Sequence, residues 1–185
     1  VSMDQMESST AGLIGQLKGA ILTTLRYKYA TVFVDLFSDY TYVYLHTKLT
    51  SEETVKAKKA FESHAESFGL TIKQYHADNG RFQDAAFKTH CELKGQTLTF
   101  CGVNAHFQNG RAERKIRDLQ DGARTSLLHA IKKWPSAITI NLWPYALRYA
   151  NDVNNYVPGK GQVQAPIELF SSTEMKLPIK QFYHF

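Results

Sequence analysis

Two short runs of β-branched and aromatic residues, 30–36 and 40–45, flank the turn-prone tripeptide Phe37-Ser38-Asp39. That pattern predicts an antiparallel hairpin. Residues 1–6 carry an apolar alternation too short to settle by periodicity, and are read as a strand. Residues 7–19, rich in Ser, Thr and Gly, read as a loop; 19–29 stay ambiguous. After the hairpin the apolar period changes. Thr50 and Glu53 have capping-box spacing, and Ala57, Phe61, Ala65 and Phe68 recur at helical intervals until Gly69. A strand is expected over 70–76, ending at Asp78-Asn79-Gly80. A short helix is expected over 82–93, a strand over 96–101 and a polar loop over 102–110. The longest helix spans 111–131 on an apolar stripe of Ala112, Ile116, Leu119, Ala123 and Leu127. Trp134-Pro135 ends it. Another helix covers 136–151, with Leu142, Ala146 and Tyr149. The chain from Tyr156 holds three prolines and reads as loops with one short helical piece. This order describes an α/β domain, a mixed sheet flanked by helices. Residues 1–155 form the core and 156–185 its C-terminal extension.

Composition narrows the class. Hydrophobic residues make up 43% of 185 positions, enough to fill one core. No apolar run is long enough to cross a membrane, and the start lacks the pattern of a signal peptide. The abrupt ends suggest a piece of a longer polyprotein. Two cysteines, Cys91 and Cys101, make no disulfide framework and fit a reducing, intracellular compartment. With His90 and His106 they match no common zinc spacing.

The net charge is +5 and the pI about 9.1. Most of the excess lies between positions 110 and 133, where seven basic side chains face three acidic ones. Such a helix suits phosphates, although a solvated face with internal ion pairs reads the same way.

Metal-assisted phosphoryl transfer needs carboxylates at the ends of ordered elements facing one cleft. Asp78, at the end of an apolar strand, meets that need; as Asp-Asn-Gly it is also ordinary turn chemistry. Glu113 lies in the first turn of the long helix, with Arg117, Gln120 and Arg124 following on its face. It also reads as a glutamate favoured by the helix dipole. Trp134, Trp143 and Phe61 read as core residues, Asp84, Asp118 and Asp121 as surface residues, and His76 and His106 as strand-end or loop residues.

Two segments carry a more specific signal. Residues 75–82 (YHADNGRF) resemble the DNG-x-F segment of retroelement integrases, and residues 107–119 (FQNGRAERKIRDL) resemble the QNG-x-AER-K-x-R-x-L signature of copia-type integrases. Residues 142–146 and 165–170 resemble later family segments. The resemblance implies a ribonuclease H-like fold and a DDE triad of metal-binding catalytic acids. Asp78 and Glu113, with 34 residues between them, supply the last two; the family has about 35 there. The first acid falls on Asp4, in Val1-Ser2-Met3-Asp4. Asp35 is its rival, although its segment resembles the family's second strand, whose acid is not catalytic. Mg²⁺ or Mn²⁺, as two ions, is the implied cofactor. Double-stranded DNA, both element ends and target, is the implied partner. DNA contacts would fall to Asn79, Gln108, Asn109, Arg114, Lys115, Arg117 and Arg124, the first three alternatively ordering the loop by the metals. The implied activity is 3′-end processing and strand transfer, by a homo-oligomer acting in the nucleus. A ribonuclease H-like nuclease or resolvase, and an inactive remnant that binds DNA or itself, remain alternatives.

Overall fold

The computed structural model describes residues 1–15, 23–78, 80–102 and 109–174. Five strands form one sheet in the order β3-β2-β1-β4-β5. They are β1 (Ser2–Gly12), β2 (Tyr27–Val34), β3 (Thr41–His46), β4 (Gln74–Ala77) and β5 (Thr97–Phe100). β1–β2 and β2–β3 pair antiparallel; β1–β4 and β4–β5 pair parallel. The helices are α1 (Ser51–Glu66), α2 (Ala85–Leu93), α3 (Gly110–Lys133), α4 (Trp143–Tyr156) and α5 (Pro166–Ser171). This is the mixed, helix-flanked α/β sheet the pattern predicts.

The hairpin forms as expected. Asp35 accepts hydrogen bonds from the Ser38 N–H (2.9 Å) and hydroxyl (2.7 Å), closing the turn between β2 and β3. Thr50 caps α1 by accepting from the Glu53 N–H at 3.3 Å. Gly69 stops the chain after α1 with φ +74°, a left-handed conformation that a side chain would strain.

Four elements differ from expectation; the strand expected over 70–76 forms only as Gln74–Ala77. β1 continues through residues 7–12, which composition assigns to a loop. Pairing overrides propensity there: Glu7 faces Tyr29 and Gly12 faces Tyr27, across an irregularity in register. The far end is pinned by the start of α4 and the 3₁₀ turn (Ile140–Leu142) before it: Trp143 Nε1 donates to the Thr10 carbonyl (2.9 Å) and Asn141 Nδ2 to that of Ala11 (2.8 Å). The expected helix over 82–93 divides into a 3₁₀ turn, Arg81–Gln83, and α2, because Asp84 turns out of the helix to cap Ala86 N–H (2.9 Å). The helix expected over 136–151 starts only at Trp143. Pro144 occupies its first turn, where a missing N–H costs nothing, and the helix runs on to Tyr156.

Alternation along the strands sorts side chains onto two faces. Met3, Phe33, Tyr75 and Ala77 join Phe61, Phe82, Phe87, Ile167 and Phe170 in a core beneath α1, α2 and α5. Ala30, Val32, Val34 and Leu45 join Ile116, Leu119, Leu127, Trp143 and Leu147 in a second core beneath α3 and α4. Phe61 and Trp143 are core residues as expected; Trp134 is not, being 40% exposed, with the Lys133 ammonium 4.4 Å over its ring. Among the described residues no helix is long and apolar enough to cross a membrane.

Candidate active site

Since Met3 points into the α1 core, its neighbours Ser2 and Asp4 face α3. On β4, Tyr75 and Ala77 point into the same core, so His76 and Asp78 face α3 as well. The parallel register matches Ser2 with His76 and Met3 with Ala77, which brings Asp4 and Asp78 together one step beyond the ladder. Glu113, in the first turn of α3, lies over that end of the sheet. Sheet alternation, strand register and helix placement thus gather three acids from segments far apart in sequence.

The electrostatics carry the same signature. Burial holds the Asp4 carboxyl up to about 6; the Gln5 N–H, donating at 2.7 Å, opposes the rise, and the charges of Asp78 and Glu113 add to it. Asp4 therefore feels both other acids. Gly80 turns the chain directly after Asp78, its N–H donating to the Asp78 carboxylate at 3.3 Å. A Cβ at Gly80 would lie 3.1 Å from a carboxylate oxygen, closer than side chains normally tolerate. A cleft of about 260 Å³ opens here, lined by Asp4, Asp78, Leu49, Gly80 and Phe82.

Asp35 lies three residues beyond Val32, the β2 partner of Asp4, past the N-terminal end of β1. Val34 pairs with Ser2, so Asp35 flanks Val1 and its carboxylate is committed to the Ser38 turn. Between the two aspartates, Asp4 is the one grouped with Asp78 and Glu113.

Two residues expected at a DNA surface hold the site together instead. Asn109 is fully buried; it accepts from the Ser2 hydroxyl (2.6 Å) and donates through Nδ2 to the Met3 carbonyl (3.1 Å). The start of α3, and with it Glu113, is thereby clamped to β1 next to Asp4. Of the two roles open to Asn109, the structure supports ordering rather than DNA contact. Lys115 is only 7% exposed and donates to Asp39 and, at 3.0 Å, to Asn154. Asp39 also pairs with Arg111 (3.5 Å), so the hairpin turn is tied to α3. Arg114, Arg117 and Arg124 are exposed, as a phosphate-binding role requires. Asn79, Gln108 and His106 lie outside the described residues. Asp84, Asp118 and Asp121 are at the surface.

Sequence reading missed a buried network on the other face. Lys58 Nζ donates to Glu62 (2.7 Å) and Gln96 (2.6 Å) and meets His90 Nδ1 (2.9 Å). Glu62 also accepts from Tyr75 (3.0 Å) and Gln96 (2.6 Å). Only the Lys58–Glu62 spacing of four signals it in the sequence.

Among the described residues no three His, Cys, Asp or Glu side chains form a group that could hold a metal ion as they stand. The donors of the acid cluster do suit a hard cation. All are carboxylate oxygens, and Mg²⁺ usually takes one or two such groups, leaving its remaining positions to water and substrate phosphate.

No protein-family model matches the chain. Over 96% of its length it superposes on 55% of a chain in the simian T-cell lymphotropic virus intasome in complex with PP2A regulatory subunit B56 gamma, with TM-score 0.66 and 19% identity. The HTLV-2 integrase catalytic core domain in complex with magnesium matches with TM-score 0.60 and 17% identity, covering 91% of this chain and 93% of that one. The BIV integrase catalytic core matches with TM-score 0.62 and 20% identity, covering 92% of each. The fold is that of an integrase catalytic core, ribonuclease H-like. In sequence the chain is 30% identical over 140 residues, 75% of its length, to the Retrovirus-related Pol polyprotein from transposon RE1 of Arabidopsis thaliana, of which it spans 9%. The chain thus has the fold of an integrase catalytic core and a sequence similar to part of a retrotransposon Pol polyprotein.

Proposed function

We propose that this chain is the catalytic core of a copia-type retrotransposon integrase, trimming the 3′ ends of element DNA and joining them to target DNA. The observation that carries this reading is the gathering of Asp4, Asp78 and Glu113 at one end of the sheet, with the charges of both partners acting on Asp4. The relationship to the transposon Pol polyprotein supports the retroelement assignment, and the HTLV-2 core's complex with magnesium supports a divalent cation.

Asp4, Asp78 and Glu113 would hold Mg²⁺ or Mn²⁺, as two ions. When bound, such ions activate the attacking oxygen and stabilise the leaving one. The protein's part is placement. Asp4 gives up its proton to serve as a ligand, and the Gln5 N–H favours the ionised form. Asn109 keeps Glu113 opposite the strand ends. Arg114, Arg117 and Arg124 bind phosphates and set the register of double-stranded DNA without reading its sequence. A homo-oligomer would bring two element ends together, a reading supported by the dimeric and trimeric forms of the HTLV-2 core. Action on chromosomal DNA places it in the nucleus.

Asp78→Asn tests the assignment. It keeps the side chain's size and removes its charge. Strand transfer and end cleavage are expected to fall on the order of a thousandfold or more, as when a group acting as part of a catalytic unit is lost. Retained activity in that variant rejects the site.

A further inference from the structure

We propose that His76 and Cys101 form a seat for a soft, thiophilic divalent cation such as Zn²⁺ or Cd²⁺, beside the carboxylate cluster and distinct from it. The imidazole Nε2 and the thiol sulfur lie 3.6 Å apart. A tetrahedral zinc ion with bonds of about 2.3 Å to sulfur and about 2.0 Å to nitrogen requires a separation of roughly 3.5 Å. The pair already stands at that ligand-to-ligand spacing.

The tautomer is fixed as well. Thr99 Oγ1 donates to the Tyr75 carbonyl (3.2 Å), which leaves the oxygen to accept from His76 Nδ1–H (2.9 Å). Nε2 then presents its lone pair towards Cys101. This is the outer-shell arrangement by which proteins orient a ligating histidine. Strand alternation puts His76, Asp78, Thr99 and Cys101 on one face. Ala77 pairs with Phe100, and the Cys101 N–H donates to the Ala77 carbonyl (3.0 Å), so Cys101 stands across from Asp78. Burial, then the charge of Asp78, raise the pKa of the thiol, so forming the sulfur–cation bond releases the S–H proton to solvent, while the charges of Asp78, Glu113 and Asp4 attract the cation. Two protein ligands leave the other positions to water. The candidate quartet of His90, Cys91, Cys101 and His106 does not supply this seat: Cys91 belongs to the core on the opposite face.

The seat stands on its own geometry. Its consequence rests on the proposed catalytic role: a soft cation seated beside Asp78 opposes Mg²⁺ there by charge repulsion. Cd²⁺ titration of the purified chain, followed by thiolate-to-cadmium ultraviolet absorbance, tests it. The wild type and Cys91→Ser should saturate at one cation per chain. Cys101→Ser should lose the signal while keeping the wild-type thermal melt. His76→Ala, which leaves the thiol untouched, should bind at least about tenfold more weakly. No signal in the wild type, or an unchanged signal in Cys101→Ser or His76→Ala, overturns the proposal. The readout needs no catalysis, so a chain that binds Cd²⁺ this way but transfers no strands rejects the catalytic reading alone.

Discussion

Two clusters of ionisable groups lie on opposite faces of the sheet, and they are built on opposite rules. Beneath α1, every charge has a partner. Lys58, fully buried, meets Glu62, Gln96 and His90, and Glu62 collects donors from three side chains. At the α3 end, burial first and then the charges of Asp78 and Glu113 push the carboxyl of Asp4 up to about 6. The first arrangement satisfies buried charge and ties α1 to β4 and the approach to β5. The second leaves like charges together, which stability alone does not favour and a cation-binding site requires. The compensated charge of the first cluster serves structure; the uncompensated charge of the second suits the proposed cation site.

Opposite mutational responses should expose this contrast. The largest effect is Asp78→Asn, which costs the thousandfold or more in strand transfer set out above with little change in the melting temperature. Lys58→Ala should do the reverse. It strands Glu62 in the interior, and breaking a buried pair this way costs about 3–5 kcal/mol, read by urea unfolding. A Lys58→Ala chain as stable as the wild type would erase the distinction. Asn109→Ala should fall between the two. It leaves the Ser2 hydroxyl and Met3 carbonyl without their partner, at about 1–3 kcal/mol, and frees the start of α3, so activity should drop further than stability explains.

The smallest effects are those of pH. Folded Asp4 keeps its proton to about pH 6, whereas the unfolded chain loses it near 4. Its contribution to stability is present below that window and is lost as pH rises through it. His46 acts the other way. Burial lowers it to about 4, against the weaker pull of Glu53, so its contribution is present above about 6.5 and lost as pH falls. Asp4→Asn should therefore remove a stability component that falls between pH 4 and 6, and His46→Gln one that rises between 4 and 6.5. Urea midpoints at several pH values separate them; a single shared slope in both variants would contradict the signs.

Much of this was legible in the sequence, unevenly. The hairpin, the caps of α1 and the stripe of α3 follow local rules, and all three appear where the pattern puts them. The second half of β1 does not: Ser8, Ser9 and Thr10 carry no strand signal strong enough to outweigh loop composition. Its pairing comes from β2 and its anchoring from Trp143 and Asn141, more than 100 residues away. Lys115 could have been found by helical arithmetic. It lies three residues after Ala112 and four before Leu119, on the buried side. The role of Asn109 could not, because Ser2 is 107 residues distant. The family resemblance singled out Asp78 and Glu113 and favoured Asp4 over Asp35; the register of β1 against β2 and β4 is what groups Asp4 with them in space.

That separation is the most direct test of the account. Mn²⁺ titration of the wild type, Asp4→Asn and Asp35→Asn should show binding lost in Asp4→Asn and kept in Asp35→Asn, the latter weakened only in stability through its open turn. Binding kept in Asp4→Asn and lost in Asp35→Asn would contradict the site, placing the first acid on the hairpin.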